Sequence, residues 1–290
     1  MIPDVKPPLP EKLAYQQSAD IISVQSQVIY GSVGNSVVLP ALTRHGWNVL
    51  AVPTFLLSNT PDYPSCYGGE ISDEWFCGFL KGIHERNQDG QLRAVITGYL
   101  GSISKAQRLS DWLCQVIVAN PDTQIIVDPV MGDDDTGFYV DSGLAGWYRD
   151  HLRPLATGMT PNRFELSCLC GKTLHNEQDV ISSARSLLTE RMRWIVVTSA
   201  ARDETASTLQ VICVTEKSVH IVEHQAYANA PKGTGDLFTA GLTTGLLRGL
   251  SLEEAAEFSC EQTRHCVLES LINGSGILNP LILAPGTEST

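Results

Sequence analysis

The sequence predicts an α/β fold in which a mostly parallel sheet lies between two layers of helices, forming a three-layer α/β/α sandwich. Short apolar runs typical of buried strands alternate with helical runs through most of the 290 residues. Polar loops separate these runs, and no internal repeat interrupts their order. The apolar content of 43% is sufficient for one large core.

The elements of the first half are divided by glycines and prolines. Residues 1–18 carry four prolines and are expected to form a flexible extension, so that a single domain spans residues 19–290. The β-rich run at residues 21–30 predicts the first strand, and a Gly-rich turn leads from it into a helix ending at Gly46. Further strands are predicted at residues 47–57, 93–99 and 123–130, and helices around residues 71–83 and 105–119.

The second half continues the alternation and adds one hairpin. Helices are predicted at about residues 142–155, after residue 162 and at about residues 177–191, with short strands at residues 158–161 and 193–198. Residues 209–224 alternate in two short runs around a polar turn, which predicts a hairpin at the edge of the sheet. Two last helices are expected at residues 237–247 and 251–269.

Charge and composition disfavour several classes of partner. The net charge of −12 argues against nucleic acid and anionic membranes, because their phosphates would repel the chain. No signal-peptide pattern and no run of membrane-spanning length is present, so a cytoplasmic location is expected. The eight cysteines form no CxxC pair and no Cys/His cluster, which indicates reduced, buried thiols.

A glycine-rich segment, Lys232-Gly233-Thr234-Gly235-Asp236, precedes the helix predicted at residues 237–247. The two glycines leave the backbone open to a ligand, and a helix start supplies unpaired N–H groups and a partial positive charge. Asp236 is placed to accept a proton from a hydroxyl group. The segment is therefore a candidate phosphate site with a base, although an Asp in this position also fits an ordinary helix start.

Carboxylates follow two of the predicted strands. Asp128 and Asp133 lie at the end of one strand, and Glu165 follows the next. Ligands of such sheets bind at the carboxyl ends of the strands. Magnesium takes one or two carboxylates together with phosphates and water, so this set suits the ion, while a solvated acidic turn is the alternative for residues 133–135.

Other residues at strand ends leave two interpretations open. Ser26 either caps the first strand or contacts a ligand. Tyr99 is either a core aromatic or the wall of a ring-binding pocket. The chain has no GxxxxGK[ST] motif, and no GxGxxG follows the first strand, which disfavours P-loop and Rossmann proteins.

Seven segments in order closely resemble the pyridoxal kinase family of the ribokinase-like superfamily, in particular its bacterial pyridoxine/pyridoxal/pyridoxamine kinases. They are residues 24–31 (VQSQVIYG), 57–60 (LSNT), 97–99 (TGY), 128–133 (DPVMGD), 160–165 (TPNRFE), 197–199 (VTS) and 232–236 (KGTGD). The resemblance implies a ribokinase-like fold and a homodimer. It also implies transfer of the γ-phosphoryl of ATP, with Mg²⁺ and the monovalent cation K⁺, to the 5′-hydroxymethyl group of vitamin B6.

The resemblance also implies the site residues. The implied catalytic residues are Asp236, Gly233 and Gly235. The implied substrate contacts are Ser26, Thr60, Asp62, Tyr99 and Asp236. The implied ATP contacts are Asp128, Thr160, Glu165, Thr198, Gly233 and Thr234. The implied metal-site residues are Asp133, Glu165 and Tyr139.

One position departs from the family pattern. Close bacterial relatives carry a histidine in the loop where this chain has Asp62, so the vitamer preference is open. Two other functions are alternatives: a kinase for hydroxymethylpyrimidine or another small alcohol on the same fold, and a non-catalytic carrier of pyridoxal phosphate. Asp236 argues against the carrier, because a carrier needs no base beside a hydroxyl group.

Overall fold

The computed structural model describes residues 19–86, 92–203 and 208–281, so the predicted extension at residues 1–18 lies outside the described residues. The strands are β1 (Ile21–Tyr30), β2 (Val49–Asn59), β3 (Gly68–Glu70), β4 (Ala94–Thr97), β5 (Gln124–Val127), β6 (Gly132–Asp133), β7 (Gly137–Phe138), β8 (Gly158–Met159), β9 (Trp194–Asp203), β10 (Thr208–Thr215) and β11 (Val219–Gln225). The α-helices are α1 (Asn35–Arg44), α2 (Asp73–Arg86), α3 (Ile103–Ala119), α4 (Gly143–Trp147), α5 (Arg163–Cys170), α6 (Glu177–Leu187), α7 (Thr234–Leu247) and α8 (Leu252–Ile272).

Nine of these strands form one sheet in the order β11-β10-β9-β8-β5-β4-β1-β2-β3. The six strands from β9 to β2 in this order pair in parallel. The antiparallel strands lie at the edges, with β3 beside β2 and the hairpin of β10 and β11 beside β9. The predicted α/β class, the mostly parallel sheet and the edge hairpin are therefore confirmed.

Helices cover both faces of the sheet, as the near-continuous apolar strands predict. Successive residues of a strand point to opposite faces, and β5 follows this rule. Ile125 and Val127 pack in the core that contains residues of α2 to α6, whereas Ile126 packs in a core with residues of α7 and α8. A third cluster joins α1 to α7 and α8 on that second face. The three-layer arrangement brings α1 and α7 together beside the ends of the central strands.

Four details differ from the sequence-based expectations. The strand β3 and the small sheet of β6 and β7 were not predicted, because runs of two or three residues carry no periodicity. The helix expected at residues 142–155 is α only to Trp147 and continues as a π-helical turn and a 3-10 turn. The strand β9 continues past Thr198 because it pairs with β10 as far as Asp203. Within the described ranges, no helix has the length and apolar character needed to cross a membrane.

Candidate active site

The candidate site lies at the carboxyl ends of the parallel strands. Asp128 directly follows β5, and its N–H group donates to the carbonyl of Thr97 on β4 at 2.9 Å. Thr160 directly follows β8 and donates to the carbonyl of Val127 on β5 at 3.0 Å. Thr198 lies on β9, the next strand of the sheet. These three residues are predicted ATP contacts, and they thus form one row along the carboxyl-terminal side of three neighbouring strands.

Asp236 lies in the first turn of α7, where it meets the turn that follows β1. The N–H group of Gly34 donates to Oδ2 of Asp236 at 2.9 Å. Burial raises the pKa of Asp236 to about 6, and the hydrogen bond from Gly34 opposes this rise. A carboxylate that is mostly ionised at neutral pH and has a pKa near 6 is suited to accept a proton from a hydroxyl group.

The two glycines before Asp236 differ in what surrounds them. Gly233 has a φ of 95°, and a Cβ on it would lie 1.7 Å from the carbonyl oxygen of Ser32. Its missing side chain therefore allows two loops of the protein to touch. Gly235 has no heavy atom within 4 Å of an added Cβ, so the space beside it is open. Of the two, Gly235 better fits the predicted approach of a phosphate.

Thr239, which the sequence reasoning missed, connects the two sides of the site. Its hydroxyl lies 3.3 Å from Oδ2 of Asp128 and 3.0 Å from the hydroxyl of Thr160. Burial raises the pKa of Asp128, the charges of Glu165 and Asp236 raise it further, and the hydrogen bond from Thr239 opposes them. The sequence did carry one indication of this role. Thr239 follows Asp236 by three residues, which places the two side chains on the same face of α7.

Glu165 is only 3% exposed, and both oxygens of its carboxylate accept hydrogen bonds from backbone N–H groups. Oε1 accepts the N–H group of Met131 at 3.0 Å, and Oε2 accepts that of Asn162 at 2.9 Å. The Asn162 side chain accepts the N–H group of Glu165 in return, forming a capping box at the start of α5. Burial raises the pKa of Glu165 to about 8, although these backbone hydrogen bonds lower it. Contact with a metal or nucleotide remains a prediction.

Asp133 is the last residue of β6, immediately before the turn to β7. Its Oδ1 accepts the N–H groups of Asp135 and Thr136 and the hydroxyl of Thr136, at 3.1, 2.7 and 2.8 Å. Burial acts to raise the pKa of Asp133, but the hydrogen bonds from Thr136 and the charge of Lys232 outweigh it and hold the pKa below its ordinary value. Asp134 pairs with Arg163 at 3.0 Å. These bonds order the turn, although residues 134–136 are exposed to solvent, and metal binding by Asp133 stays a prediction.

Tyr139 lies close to the carboxylates of the site. Tyr139 is 48% exposed, and partial burial raises the pKa of its hydroxyl. The charges of four carboxylates raise it further: Glu165, Asp133, Asp128 and Asp236. The phenol is therefore neutral. Nowhere in the described ranges do three His, Cys, Asp or Glu side chains come together in a group that could hold a metal. A metal ion here would need phosphate oxygens and water as additional ligands.

Two predicted substrate contacts are Ser26, on β1, and Tyr99, two residues beyond the end of β4. Ser26 is buried, and a Cβ on Gly34 would lie 2.7 Å from its hydroxyl oxygen. Gly34 also donates to Asp236, so it lies between Ser26 and the candidate base. Tyr99 is partly buried and packs edge-on against Phe55, with ring centres 5.3 Å apart. Ser26 is thus placed beside the candidate base, and a ring-binding role for Tyr99 stays a prediction.

The other two predicted substrate contacts lie around the end of β2. Thr60 is buried, and a Cβ on Gly31 would lie 3.3 Å from its methyl group. Asp62 is exposed in the following turn, next to Tyr63, whose ring packs edge-on against Tyr30 at 5.7 Å. Thr60 therefore packs beside the turn that follows β1, whereas Asp62 is exposed to solvent. A role for Asp62 in substrate binding stays a prediction.

Known sequences match most of the chain. The family model described as phosphomethylpyrimidine kinase matches residues 80–280. The pyridoxine/pyridoxal/pyridoxamine kinase of Bordetella avium is 48% identical over 241 residues, which cover 83% of this chain and 81% of the relative. The kinase of the same name from Bordetella bronchiseptica is 44% identical and covers 91% and 92% of the two chains.

Solved structures match the same fold. The pyridoxal kinase of Entamoeba histolytica superposes with a TM-score of 0.83 at 20% identity, covering 91% of this chain and 94% of its own. The pyridoxal kinase of Leishmania donovani in complex with ADP and pyridoxine has a TM-score of 0.79 at 25% identity and covers 90% of each chain. The sequence relatives are similar over nearly their whole length, and the fold agrees with them. The chain belongs to the pyridoxal kinase family.

Proposed function

We propose that the protein transfers the γ-phosphoryl group of ATP to the 5′-hydroxymethyl group of vitamin B6, and so returns pyridoxal, pyridoxine and pyridoxamine to their 5′-phosphates in a salvage reaction. The Bordetella relatives are named for these three vitamers. The Leishmania relative holds ADP and pyridoxine. The observation that carries the proposal is the position of Asp236, at the start of α7 and held by the N–H group of Gly34 at 2.9 Å.

In the proposed reaction Asp236 accepts the proton of the substrate hydroxyl, and the hydroxyl oxygen attacks the γ-phosphorus in line as ADP leaves. The first N–H groups of α7 have no partner within the helix and stabilise the charge on the transferred oxygens. One such donor in a preorganised site is worth about 3 kcal/mol of transition-state stabilisation. Ser26 and Tyr99 orient the ring so that its hydroxymethyl group meets Asp236.

The row formed by Asp128, Thr160 and Thr198 is proposed to bind the nucleotide together with Thr234 in the first turn of α7. Magnesium, when bound, neutralises charge on the phosphates. Asp133 fits this ion because its carboxylate is ionised and partly exposed. The remaining two predicted metal residues fit it less directly: both oxygens of Glu165 already accept backbone N–H groups, which favours contact through water, and Tyr139 is a neutral phenol. Binding of K⁺ remains a prediction from the resemblance.

A coupled assay for ADP release tests the proposal against its alternatives. Wild-type protein with ATP and Mg²⁺ is supplied in turn with pyridoxal, pyridoxine, pyridoxamine and hydroxymethylpyrimidine. We expect turnover with at least one B6 vitamer and a lower kcat/KM with the pyrimidine. Preference for hydroxymethylpyrimidine would assign the chain to the activity named by the matching family model. Binding of pyridoxal phosphate without any ADP release would support the carrier.

We also propose that the protein is a homodimer. Large apolar side chains lie exposed around the ends of β1 and β2, among them Ile29 at 75% and Tyr67 at 73% exposure. A second copy of the chain would remove them from water, which is favourable. Light scattering after size exclusion should give twice the monomer mass. A single domain at residues 19–290 and a cytoplasmic location are proposed from the sequence alone.

A further inference from the structure

Three segments that are far apart in the sequence meet at Ser32, in the turn after β1. Ser32 is 4% exposed. Its hydroxyl donates to the carbonyl of Lys232, before α7, at 3.2 Å, and accepts the N–H group of Leu278, beyond α8, at 2.9 Å. A hydroxyl donates one hydrogen bond and accepts up to two, so both bonds form together.

The same turn carries the hydrogen bond that orients the candidate base. The N–H group of Gly34, two residues after Ser32, donates to Asp236 at 2.9 Å. On the other side, the carbonyl of Ser32 lies so close to Gly233 that a Cβ there would be 1.7 Å away. Because the two loops touch through their backbones, a shift of Ser32 would move both the donor of Asp236 and the start of α7.

The segment that contributes Leu278 is itself fixed. The side chain of Leu278 is buried in the cluster that joins α1, α7 and α8. The hydroxyl of Ser270, in the last turns of α8, lies 3.0 Å from the carbonyl of Ser275, and that of Ser275 lies 3.0 Å from the carbonyl of Ile277. The N–H group of Leu278 therefore offers a fixed anchor to the Ser32 hydroxyl.

We propose that Ser32 is a positioning residue for phosphoryl transfer, which fastens the turn that orients Asp236 to the loop before α7 and to the C-terminal segment at Leu278. The inference rests on the proposed role of Asp236 as the base. A displacement of the reacting groups by about 1 Å can slow a reaction by about 10²-fold. Loss of the Ser32 hydroxyl should therefore lower kcat. Because the first turn of α7 is also proposed to bind the ATP phosphates, the KM for ATP should rise as well, but by a smaller factor.

Steady-state kinetics of three full-length variants test this. Ser32→Ala removes both hydrogen bonds, and Ser32→Thr retains the hydroxyl. Ser110→Ala is the matched control, because Ser110 is 8% exposed on α3 and its hydroxyl likewise donates once, to Ala106 at 2.6 Å, and accepts once, from Trp147 at 3.4 Å. We expect Ser32→Ala to lower kcat about tenfold and to raise the KM for ATP by a smaller factor, about twofold to threefold. Ser32→Thr should recover most of kcat, and Ser110→Ala should keep it.

Hydrogen exchange followed by mass spectrometry gives a readout that needs no activity. In the ligand-free protein, Ser32→Ala should accelerate exchange in peptides covering residues 232–236 and 277–279, whereas Ser110→Ala should leave them unchanged. If Ser32→Ala does not fold, Ser32→Cys is used in its place. Its thiol is similar in volume to the hydroxyl but is a weaker hydrogen-bond donor and acceptor. Wild-type kcat in Ser32→Ala, or unchanged exchange, overturns the inference. Absence of turnover in the wild-type protein overturns only the proposed function.

Discussion

The hydroxyl of Thr239 lies 3.3 Å from the carboxylate of Asp128, and this contact links the helix that carries the candidate base to the central sheet. Thr239 is buried on α7, and Asp128 directly follows β5, which lies in the middle of the strand order. A buried carboxylate without hydrogen-bond donors is costly, so Thr239 contributes to the stability of the site as well as to its geometry.

Replacing Thr239 by valine should therefore destabilise the fold. Thr239→Val keeps the shape of the side chain but removes the hydroxyl that faces Asp128 and Thr160, and we expect the free energy of unfolding to fall by about 1–3 kcal/mol. Thr239→Ser retains the hydroxyl and should lose less. Urea denaturation of the two variants measures the difference, and equal stabilities would show that the hydroxyl is not needed.

Asp236→Asn should separate chemistry from binding. The amide cannot accept the proton of the substrate hydroxyl, so kcat should fall by about 10²- to 10⁴-fold, while the Kd for ATP measured by calorimetry stays close to wild type. Asp122→Asn changes an exposed aspartate in the loop between α3 and β5 and serves as the control. Near-normal turnover in Asp236→Asn would remove the residue from the role of base.

The rate should also depend on pH in a way set by Asp236. Burial raises the pKa of Asp236 from 3.8 to about 6, and only the ionised carboxylate accepts a proton. We therefore expect kcat/KM to be constant above pH 7 and to fall tenfold for each pH unit below about pH 6. A series of rates from pH 5 to pH 8 tests this, and an acidic limb that persists in Asp236→Asn would have another origin.

The two glycines of the segment should respond differently to alanine. Gly233→Ala places a methyl group 1.7 Å from the Ser32 carbonyl at a φ of 95°, so we expect an unfolding free energy lower by about 2 kcal/mol or more, or no folded protein. Gly235→Ala meets no atom within 4 Å and should fold normally. Its methyl group should instead raise the KM for ATP. Thermal unfolding and kinetics distinguish the two effects, and wild-type kinetics for Gly235→Ala would place the phosphate elsewhere.

Asp62→His tests the departure from the family pattern. Asp62 is exposed, so the substitution should leave thermal stability unchanged. If the loop contacts the substrate during turnover, the ratio of kcat/KM values among pyridoxal, pyridoxine and pyridoxamine should change. Asp62→Asn removes the charge without adding a ring and shows which property matters. Unchanged ratios in both variants would exclude Asp62 from substrate recognition.

The alternation of apolar strands and helices was sufficient to predict the central sheet, since burial on both faces leaves a strong pattern in the sequence. The role of Glu165 was harder to predict, because a carboxylate after a strand reads equally as a ligand or as a helix cap. The role of Gly34 could not be predicted from the sequence, because Gly34 acts through its backbone N–H group, which every residue except proline carries. Thr239 required knowledge of which helix packs against Asp128.

The bond between Gly34 and Asp236 spans 202 residues of sequence, and that between Ser32 and Leu278 spans 246. During synthesis, the turn after β1 therefore leaves the ribosome long before its partners exist. The apolar face of α1, which packs in one cluster with α7 and α8, stays uncovered for the same period. Contacts so distant in sequence form late in folding. A nascent chain that ends at α6 thus holds most of the parallel strands but lacks the candidate base, so the proposed activity requires α7 and the segment at Leu278 to have been synthesised.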